Sequence, residues 1–589
     1  NDYNNDGVHQ ASETQGQAGI TVKVTDKNGV VHTTVTDAEG KWKLNIPPAD
    51  YCVRVEYSNL PSNIRSSSTV AGNTTTQFYN TPTCSADMGV LNLTDYSQSN
   101  PDAYVPLWHN GDPSDPSLAN RFSIAKFSYS TTGAPIGGGS VTTSGVIPVS
   151  TGGTLWGEAW DKYNKKLYAS AVLRRHAGLG VEGLSGLYMY NPSTGTTTTY
   201  NLATITGLNF GTVASNSSRG LTSMSNPSWD IDAYDKVGKV GIGGISLSED
   251  GSKLYVMNLF LKKIVVMNIP AMTFDKTIDV PDPGCIGGNY RPWSVKYYKG
   301  SLFVGVVCDA QTSQNKSNLT ANIYKINPLT GSFTQILDFP LTYPKGIPNN
   351  GTASGWFPWS DDYNDFVNSS NASGGGQNGG YPTPVLADLD FDIDGAMVIA
   401  LNDRSASQYG YYNYLPDPTF SNTSFWAANV GGDILRAFYS NGVYALENGG
   451  VSGANVGANV GNNEGPGFGE FFNDNFISSH SEALSGGIAI KPGSGEVGAV
   501  FMDPDNTSGA IFSGGVKYMY NSNGQYNRAY NIYTNSNGLE TFGKSNGLGD
   551  LEFAYDVPNF SQIGNRVWQD TDGDGIQDPC EPGIAGITM

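Results

Sequence analysis

The chain has 589 residues, more than one ordinary domain holds, so about two to four domains are expected. Lys and Arg number 33 against 53 Asp and Glu, a net charge of −20, which argues against nucleic acid or an anionic membrane surface as partner and suits divalent cations. Hydrophobic residues make up 38%, with 74 Gly and 33 Tyr among many Asn, Ser and Thr; that mixture points to an all-β protein, and no apolar run approaches the roughly 20 residues of a membrane span.

The first element is a loop, Asp2-Tyr-Asn4-Asn-Asp6-Gly7-Val8, followed by Gln10 and Glu13. It matches the calcium-loop pattern D-x-[DN]-x-[DN]-G-x5-E. Calcium takes about six to eight oxygens at about 2.3–2.6 Å, and alternate residues of a curling chain can deliver them. Asp2, Asn4 and Asp6 supply side-chain oxygens, and Gly7 permits the sharp turn. Val8 offers its backbone carbonyl while its side chain turns to the core, Gln10 sits where a water often intervenes, and Glu13 closes the site with both oxygens. No helical pattern flanks the loop, and because the chain opens inside a motif, further upstream sequence is expected.

Residues 20–57 alternate as strands should, with Ile20, Val22 and Val24 on one face and turns at Asn28-Gly29 and Glu39-Gly40. Trp42-Lys-Leu44 and the run Tyr51, Val53, Val55 continue the pattern, so residues 1–93 are expected to form a small antiparallel sandwich. Residues 94–118, rich in Asp, Pro, Ser and Asn, are expected to be a linker.

Between 119 and 560 a short strand, a polar turn and a second strand recur near Phe122, Leu187, Ile264, Ile323, Ile434 and Val516. Five of these follow an inner hairpin, at 160–168, 248–255, 296–303, 391–398 and 490–497. The first lacks one, and 548–555 can supply it from the far end. Four-stranded units repeated in this way predict a β-propeller of six, possibly seven, blades joined through its two ends. The Gly- and Asn-rich stretches 367–380 and 448–468 are expected to be long surface loops.

The last element, 561–589, repeats the first. Asp570, Asp572, Asp574, Gly575, Ile576, Asp578 and Glu581 fall 568 positions beyond their counterparts, and Ala-Gly-Ile-Thr follows both loops. Two matches at equivalent points of a repeat favour Ca2+ over a plain acidic turn. The second loop has Asp where the first has Asn4 and Gln10, so it is expected to bind more tightly.

Residues 563–587, which run from Ile563-Gly-Asn-Arg-Val-Trp568 through the second loop, resemble the opening of the SdrD B-like domain, a calcium-binding relative of the collagen-adhesin B-type sandwich. Residues 1–93 resemble most of one such domain without its first strand, carried by Thr36-Asp-Ala-Glu-Gly-Lys-Trp-Lys-Leu44 and Asp87-Met-Gly-Val-Leu91. The resemblance covers about 120 residues and implies tandem stalk modules of bacterial surface and adhesion proteins. An extracellular location follows from it, with neighbouring modules or other copies of the protein as partners.

In an oxidising compartment the cysteines nearest in sequence pair, Cys52 with Cys84 and Cys285 with Cys308, leaving Cys580 odd. The second loop carries five carboxylates, and calcium there is expected to stiffen a hinge at residues 559–564.

Other acids are weaker candidates. Asp388, Asp390 and Asp392 share a strand face ahead of Asp394, and Glu158 lies between Trp156 and Trp160. Trp356 and Trp359 can either stack on sugar rings or staple a loop. His176 and His480 have no recognisable partner pattern, and no P-loop, HExxH or G-x-S-x-G occurs. The expected function is therefore structural and adhesive, without enzymatic activity. The alternatives are a glycan-binding lectin-like propeller, and a secreted hydrolase or lyase working through Glu158 or Asp390.

Overall fold

The computed structural model describes all residues except 11–12, 14, 62–63, 69–72, 93–94, 134–143, 347–353, 370–376, 420–424, 476–480, 506–511, 535–538, 559–565 and 588–589. It is all-β with antiparallel sheets and a few short helices. Two compact units emerge, Asn1–Ser99 together with Tyr555–Met589, and Asn100–Ala554.

In the first unit the alternating residues behave as expected. Thr21–Thr25 pairs with Val31–Val35 and with Val53–Ser58, which pairs in turn with Thr76–Tyr79. The register sets Val24 opposite Val55 and Val22 opposite Tyr57, and these side chains are buried with Ile20, Val53, Ile64 and Val90. A separate pair, Ile64–Ser66 with Val90–Asn92, covers this core. Trp42 and Leu44 pack on it, Trp42 edge-on to Tyr57 at 6.2 Å, but residues 41–46 join no ladder. The expected strand there is absent; Asp37 closes the turn before it, its carboxylate accepting from the Lys41 N–H at 2.8 Å. Residues 566–587 cluster with this same unit.

In the second unit the described residues form six four-stranded antiparallel sheets. The first comprises Leu155–Asp161, Lys166–Ala171, Gly186–Asn191 and Thr196–Asn201. The next three begin at Ile242–Leu247, Tyr290–Tyr298 and Pro384–Phe391, and the fifth at Leu484–Ile490. The sixth is assembled from both ends of the unit, in the order Glu552–Ala554, Asp102–Pro106, Phe122–Ser128 and Ser144–Pro148. Phe553 faces Ala103, which faces Phe127. Asp102–Pro106 thus overturns the expected linker: Ala103, Tyr104 and Val105 are fully buried, and their apolar alternation outweighs the Asp and Pro around them. Within the stretch 448–468, expected to be an open loop, Val451–Ser452 and Asn455–Val456 form a short hairpin.

Turn chemistry fixes the hairpins. Lys299-Gly300 and Asn441-Gly442 are two-residue turns in which both residues have positive φ, as the right-handed strand twist demands. The first two strands of each of the first five sheets also pair with a register shift, as at Leu155/Glu158 and Ile242/Ile245.

Small residues at these shifts let consecutive sheets meet. A Cβ on Gly157 would lie 2.9 Å from the Ile245 nitrogen, and one on Gly243 would lie 2.8 Å from the Trp293 carbonyl. Gly305 meets Leu386, Gly432 meets the Leu484 carbonyl, and Gly486 meets the Gly549 carbonyl. Gly549 in turn lies 3.1 Å, measured from an added Cβ, from the Leu155 carbonyl, which brings the sixth sheet against the first. Gly486→Ala is therefore expected to cost about 1–3 kcal/mol of stability. It should appear as a lower unfolding midpoint of the full chain, and an unchanged midpoint would contradict this close approach.

Candidate metal centres

The two terminal loops share one hydrogen-bond pattern at the 568-residue offset. The Gly7 N–H donates to Asp2 Oδ2 at 2.8 Å, and the Gly575 N–H to Asp570 Oδ2 at 2.9 Å. Val8 N–H donates to Asp6 at 2.8 Å, and Ile576 N–H to Asp574 at 2.7 Å. Asp6 N–H donates to Asn4 at 3.0 Å, and Asp574 N–H to Asp572 at 3.3 Å. Each loop is closed by its glutamate. Glu13 accepts from the Tyr3 and Gln10 N–H groups at 3.0 and 2.8 Å, and Glu581 from those of Thr571 and Asp578 at 2.6 and 2.9 Å. Both oxygens of each glutamate are thus engaged by backbone, and Glu581 Oε1 also accepts from the Thr571 hydroxyl at 2.8 Å.

The donor set fits a hard cation. One oxygen from each of Asp570, Asp572 and Asp574 lies within 4.8 Å of the others, a separation that a cation with bonds of about 2.3–2.6 Å can span. The Gly575 N–H lowers the pKa of Asp570, and the Thr571 N–H lowers that of Glu581, so both are charged near neutrality. Asp578 is pushed up by burial and then by the charges of Asp574 and Asp572. Gln10 donates its side-chain amide to Asp6 at 2.6 Å. Val8 and Ile576 are 45% and 52% exposed, so their side chains do not turn to the core as expected: the tight glycine turn leaves each on the outer rim.

Cys52 is bonded to Cys580, and Cys84 is exposed and unbonded. The expected Cys52–Cys84 pairing fails because the fold brings the second loop beside Cys52. The Arg54 guanidinium donates to the Gln577 carbonyl at 2.6 Å, and Arg566 lies 5.0 Å from the centre of the Phe78 ring. Cys285 is joined to Cys308, across the start of the third sheet. The hinge expected at residues 559–564 and the candidate His480 lie outside the described residues, as do 559–560 of the propeller's expected end.

Of the acids singled out between 158 and 394, Glu158, Asp388 and Asp390 lie on the first strands of their sheets, whereas Asp392 and Asp394 lie in the turn after Pro384–Phe391, where Asp392 accepts from the Asn521 amide and Asp394 pairs with Arg436 at 3.2 Å. Asp388 accepts from the Ile488 N–H at 3.0 Å, and Asp390 from the Ile490 N–H at 2.8 Å; both donors belong to the next sheet. Asp390 also pairs with Lys296 at 3.0 Å. Two acids the sequence reading missed, Asp550 and Glu552, accept from the Glu158 and Trp160 N–H groups at 3.4 and 2.9 Å. Glu158 itself is 3% exposed, with neither carboxylate oxygen hydrogen-bonded. Burial, then the charges of Asp550 and Glu552, holds it well above the usual carboxylate range, and Glu552 is pushed up to about 7 mainly by burial.

Trp356 and Trp359 are staples. They are 1% and 0% exposed, and their indole N–H groups donate to the Tyr343 hydroxyl at 3.1 Å and the Pro384 carbonyl at 2.8 Å. His176 is fully buried, with Nδ1 2.8 Å from the Ser228 hydroxyl and its backbone N–H on Asp230 at 2.6 Å. The exposed aromatics are elsewhere: Trp229, 44% exposed, stacks on Tyr414 with centroids 4.3 Å apart. They line a cleft of about 670 Å³ with Asp232, Asn226, Thr222 and Ser218.

Residues 1–102 match the SdrD B-like domain family. Over 625 residues the chain is 28% identical to Colossin-B of Dictyostelium discoideum, covering 100% of the chain and 15% of that protein. Colossin-C of the same organism is 28% identical over 609 residues, covering 98% of the chain and 56% of that protein. Serine-aspartate repeat-containing protein D of Staphylococcus aureus (strain Newman) is 43% identical over 61 residues, 10% of the chain and 5% of that protein. The likeness to this staphylococcal protein covers a short stretch, whereas the likeness to Colossin-B and Colossin-C runs the length of the chain, which spans 15% and 56% of those proteins. Among solved structures, a nidogen/laminin complex aligns with TM-score 0.34 at 8% identity, over 78% of this chain and 100% of that one. TolB from Acinetobacter baumannii aligns with TM-score 0.33 at 11% identity, over 85% and 79%. Likenesses at these TM-scores carry no argument about function.

The buried Glu158 gives a test by pH. A carboxyl with a raised folded-state pKa binds its proton more tightly when folded, so its cost to stability is absent at low pH and grows as pH rises above the unfolded value of about 4.3. Glu158→Gln removes that cost. The variant should melt above the wild type, by a margin that widens from about pH 5 to about pH 8. A margin that does not change with pH would show that Glu158 is ionised in the fold.

Proposed function

We propose that this chain is part of an extracellular structural or adhesive surface protein whose B-like unit is made rigid by Ca2+. The observation that carries the reading is the repeated hydrogen-bond pattern of the two acidic loops, which presents the same oxygens at both ends of one unit. Like charges within one short loop repel, and a divalent cation neutralises them and fixes the turn. The Cys52–Cys580 and Cys285–Cys308 bonds support an oxidising, extracellular compartment. The match of residues 1–102 to the SdrD B-like family supports a role as a spacer joined to neighbouring modules or to other copies of the protein.

In this reading the six sheets of the second unit form a six-bladed β-propeller, displayed by the spacer. Contacts of each innermost strand with the next, and the sixth sheet's use of both chain ends, support it. The inner-strand acids brace neighbouring blades instead of turning over a substrate. A second reading, glycan binding, is favoured by the exposed Trp229–Tyr414 stack in its polar-rimmed cleft, a surface suited to a sugar face. Glycan-array binding that disappears in Trp229→Ala would establish it, and an array without signal would remove it.

The calcium reading is tested by calorimetry of the full chain with calcium and with chelator. A ligand at a hundred times its Kd stabilises the folded form by about 2.7 kcal/mol, so chelation should lower the melting transition of the first unit. Asp570→Asn should weaken calcium binding at the second loop about tenfold, a loss of about 1.4 kcal/mol, and shrink the chelator effect. Identical melting of that unit in both conditions would overturn the proposal.

A further inference from the structure

The second unit buries another group of acids that the inner-strand bracing does not use. Asp433 opens the strand Asp433–Ser440 of the fourth sheet, and Asp474 and Glu482 lie in the chain leading to the fifth. Their exposures are 1%, 1% and 0%. One carboxylate oxygen of each lies within 4.8 Å of those of the other two.

Charge does not balance around them. Glu447 and Glu470, 1% and 3% exposed, add their fields to the same spot. Against these five acids stand two buried ammonium groups. Lys345 binds Glu482 and the Gly432 carbonyl, and Lys517 donates to the Asn475 carbonyl at 3.0 Å. Unpaired buried charge is costly unless something compensates it. Arg436 does not: its guanidinium is spent on Asn521, Ser452 and Asp394.

Hydrogen bonds satisfy two members of the trio. Asp433 accepts from the Tyr343 hydroxyl, and Glu482 accepts from the Gly346 N–H at 2.5 Å as well as from Lys345. Asp474 is different: neither of its carboxylate oxygens has a hydrogen-bond partner, although it is 1% exposed and reaches to within 4.8 Å of the others. Buried carboxylates of native proteins find donors or cations.

We propose that Asp433, Asp474 and Glu482 form a buried binding site for a hard divalent cation, separate from the two terminal loops. An all-oxygen set of three carboxylates selects calcium or magnesium over softer metals. The cation supplies the partner that Asp474 lacks and offsets the excess of acid. It also ties the fourth sheet to the chain entering the fifth.

Native mass spectrometry of the full chain, loaded with calcium in one arm and magnesium in the other, reads the site by stoichiometry. Asp474→Asn is expected to lose one ion per chain in the arm of the ion that binds, and Asp570→Asn should keep that ion. Manganese-soaked crystals of the wild type should show an anomalous peak among the three carboxylates, which decides the matter even if Asp474→Asn fails to fold. An unchanged ion count in Asp474→Asn in both arms, or no anomalous peak at the trio, would overturn the proposal and leave these acids to be neutralised by protons.

Discussion

The second unit depends on how closely the innermost strands of consecutive sheets approach. Backbone meets backbone at Gly157, Gly243 and Gly486, where a methyl group would already collide. At this distance the unpaired N–H groups of one inner strand are within reach of side chains on the preceding one. Ser246, Asp388, Asp390, Asp550 and Glu552 fill that role, accepting from Tyr297, Ile488, Ile490, Glu158 and Trp160. Small residues and short acids are thus two halves of one solution. The glycine lets the strands touch, and the carboxylate satisfies the donors that touching would bury. Lys296 offsets part of the resulting charge through its pair with Asp390, while burial and the neighbouring carboxylates push the pKa of Glu158 up.

The first unit has a smaller core, built on five valines with a few other aliphatic and aromatic side chains, and is reinforced by other means. Acidic loops stand at both ends, each closed by a glutamate that grips two backbone N–H groups. The Cys52–Cys580 bond then ties positions 528 apart. Modules too small to stabilise themselves by apolar burial commonly rely on such cross-links.

Much of this was legible in the sequence because the signals were local and periodic. Ile20, Val22 and Val24 alternate into the core, the inner hairpins fall at 160–168, 248–255, 296–303, 391–398 and 490–497, and the two loops carry the same acids at one offset. What was missed required knowledge of three-dimensional neighbours. The polar composition around 94–118 concealed the buried strand Asp102–Pro106, whose partner lies some 450 residues away. Nearness in sequence suggested Cys84 as the partner of Cys52, whereas the fold supplied Cys580. Asp433, Asp474 and Glu482 are scattered through ordinary strand and loop sequence, and nothing in their spacing announces that they meet. Trp229 and Tyr414 likewise come together only through the fold, while the more conspicuous Trp356 and Trp359 are interior staples.

The make-up of the sixth sheet has a consequence in time. Asp102–Pro106 emerges early from the ribosome, but the strand that covers its free edge, Glu552–Ala554, is translated last of that unit. At about 5–20 residues per second, tens of seconds or more separate the two. Throughout that interval a largely apolar strand offers an unpaired edge to any other extended chain nearby. Completion therefore hinges on one of the most non-local contacts in the chain, which places it among slowly folding topologies. A nascent chain of this kind has reason to be held unfolded, or delivered quickly across a membrane, until its final strand is available.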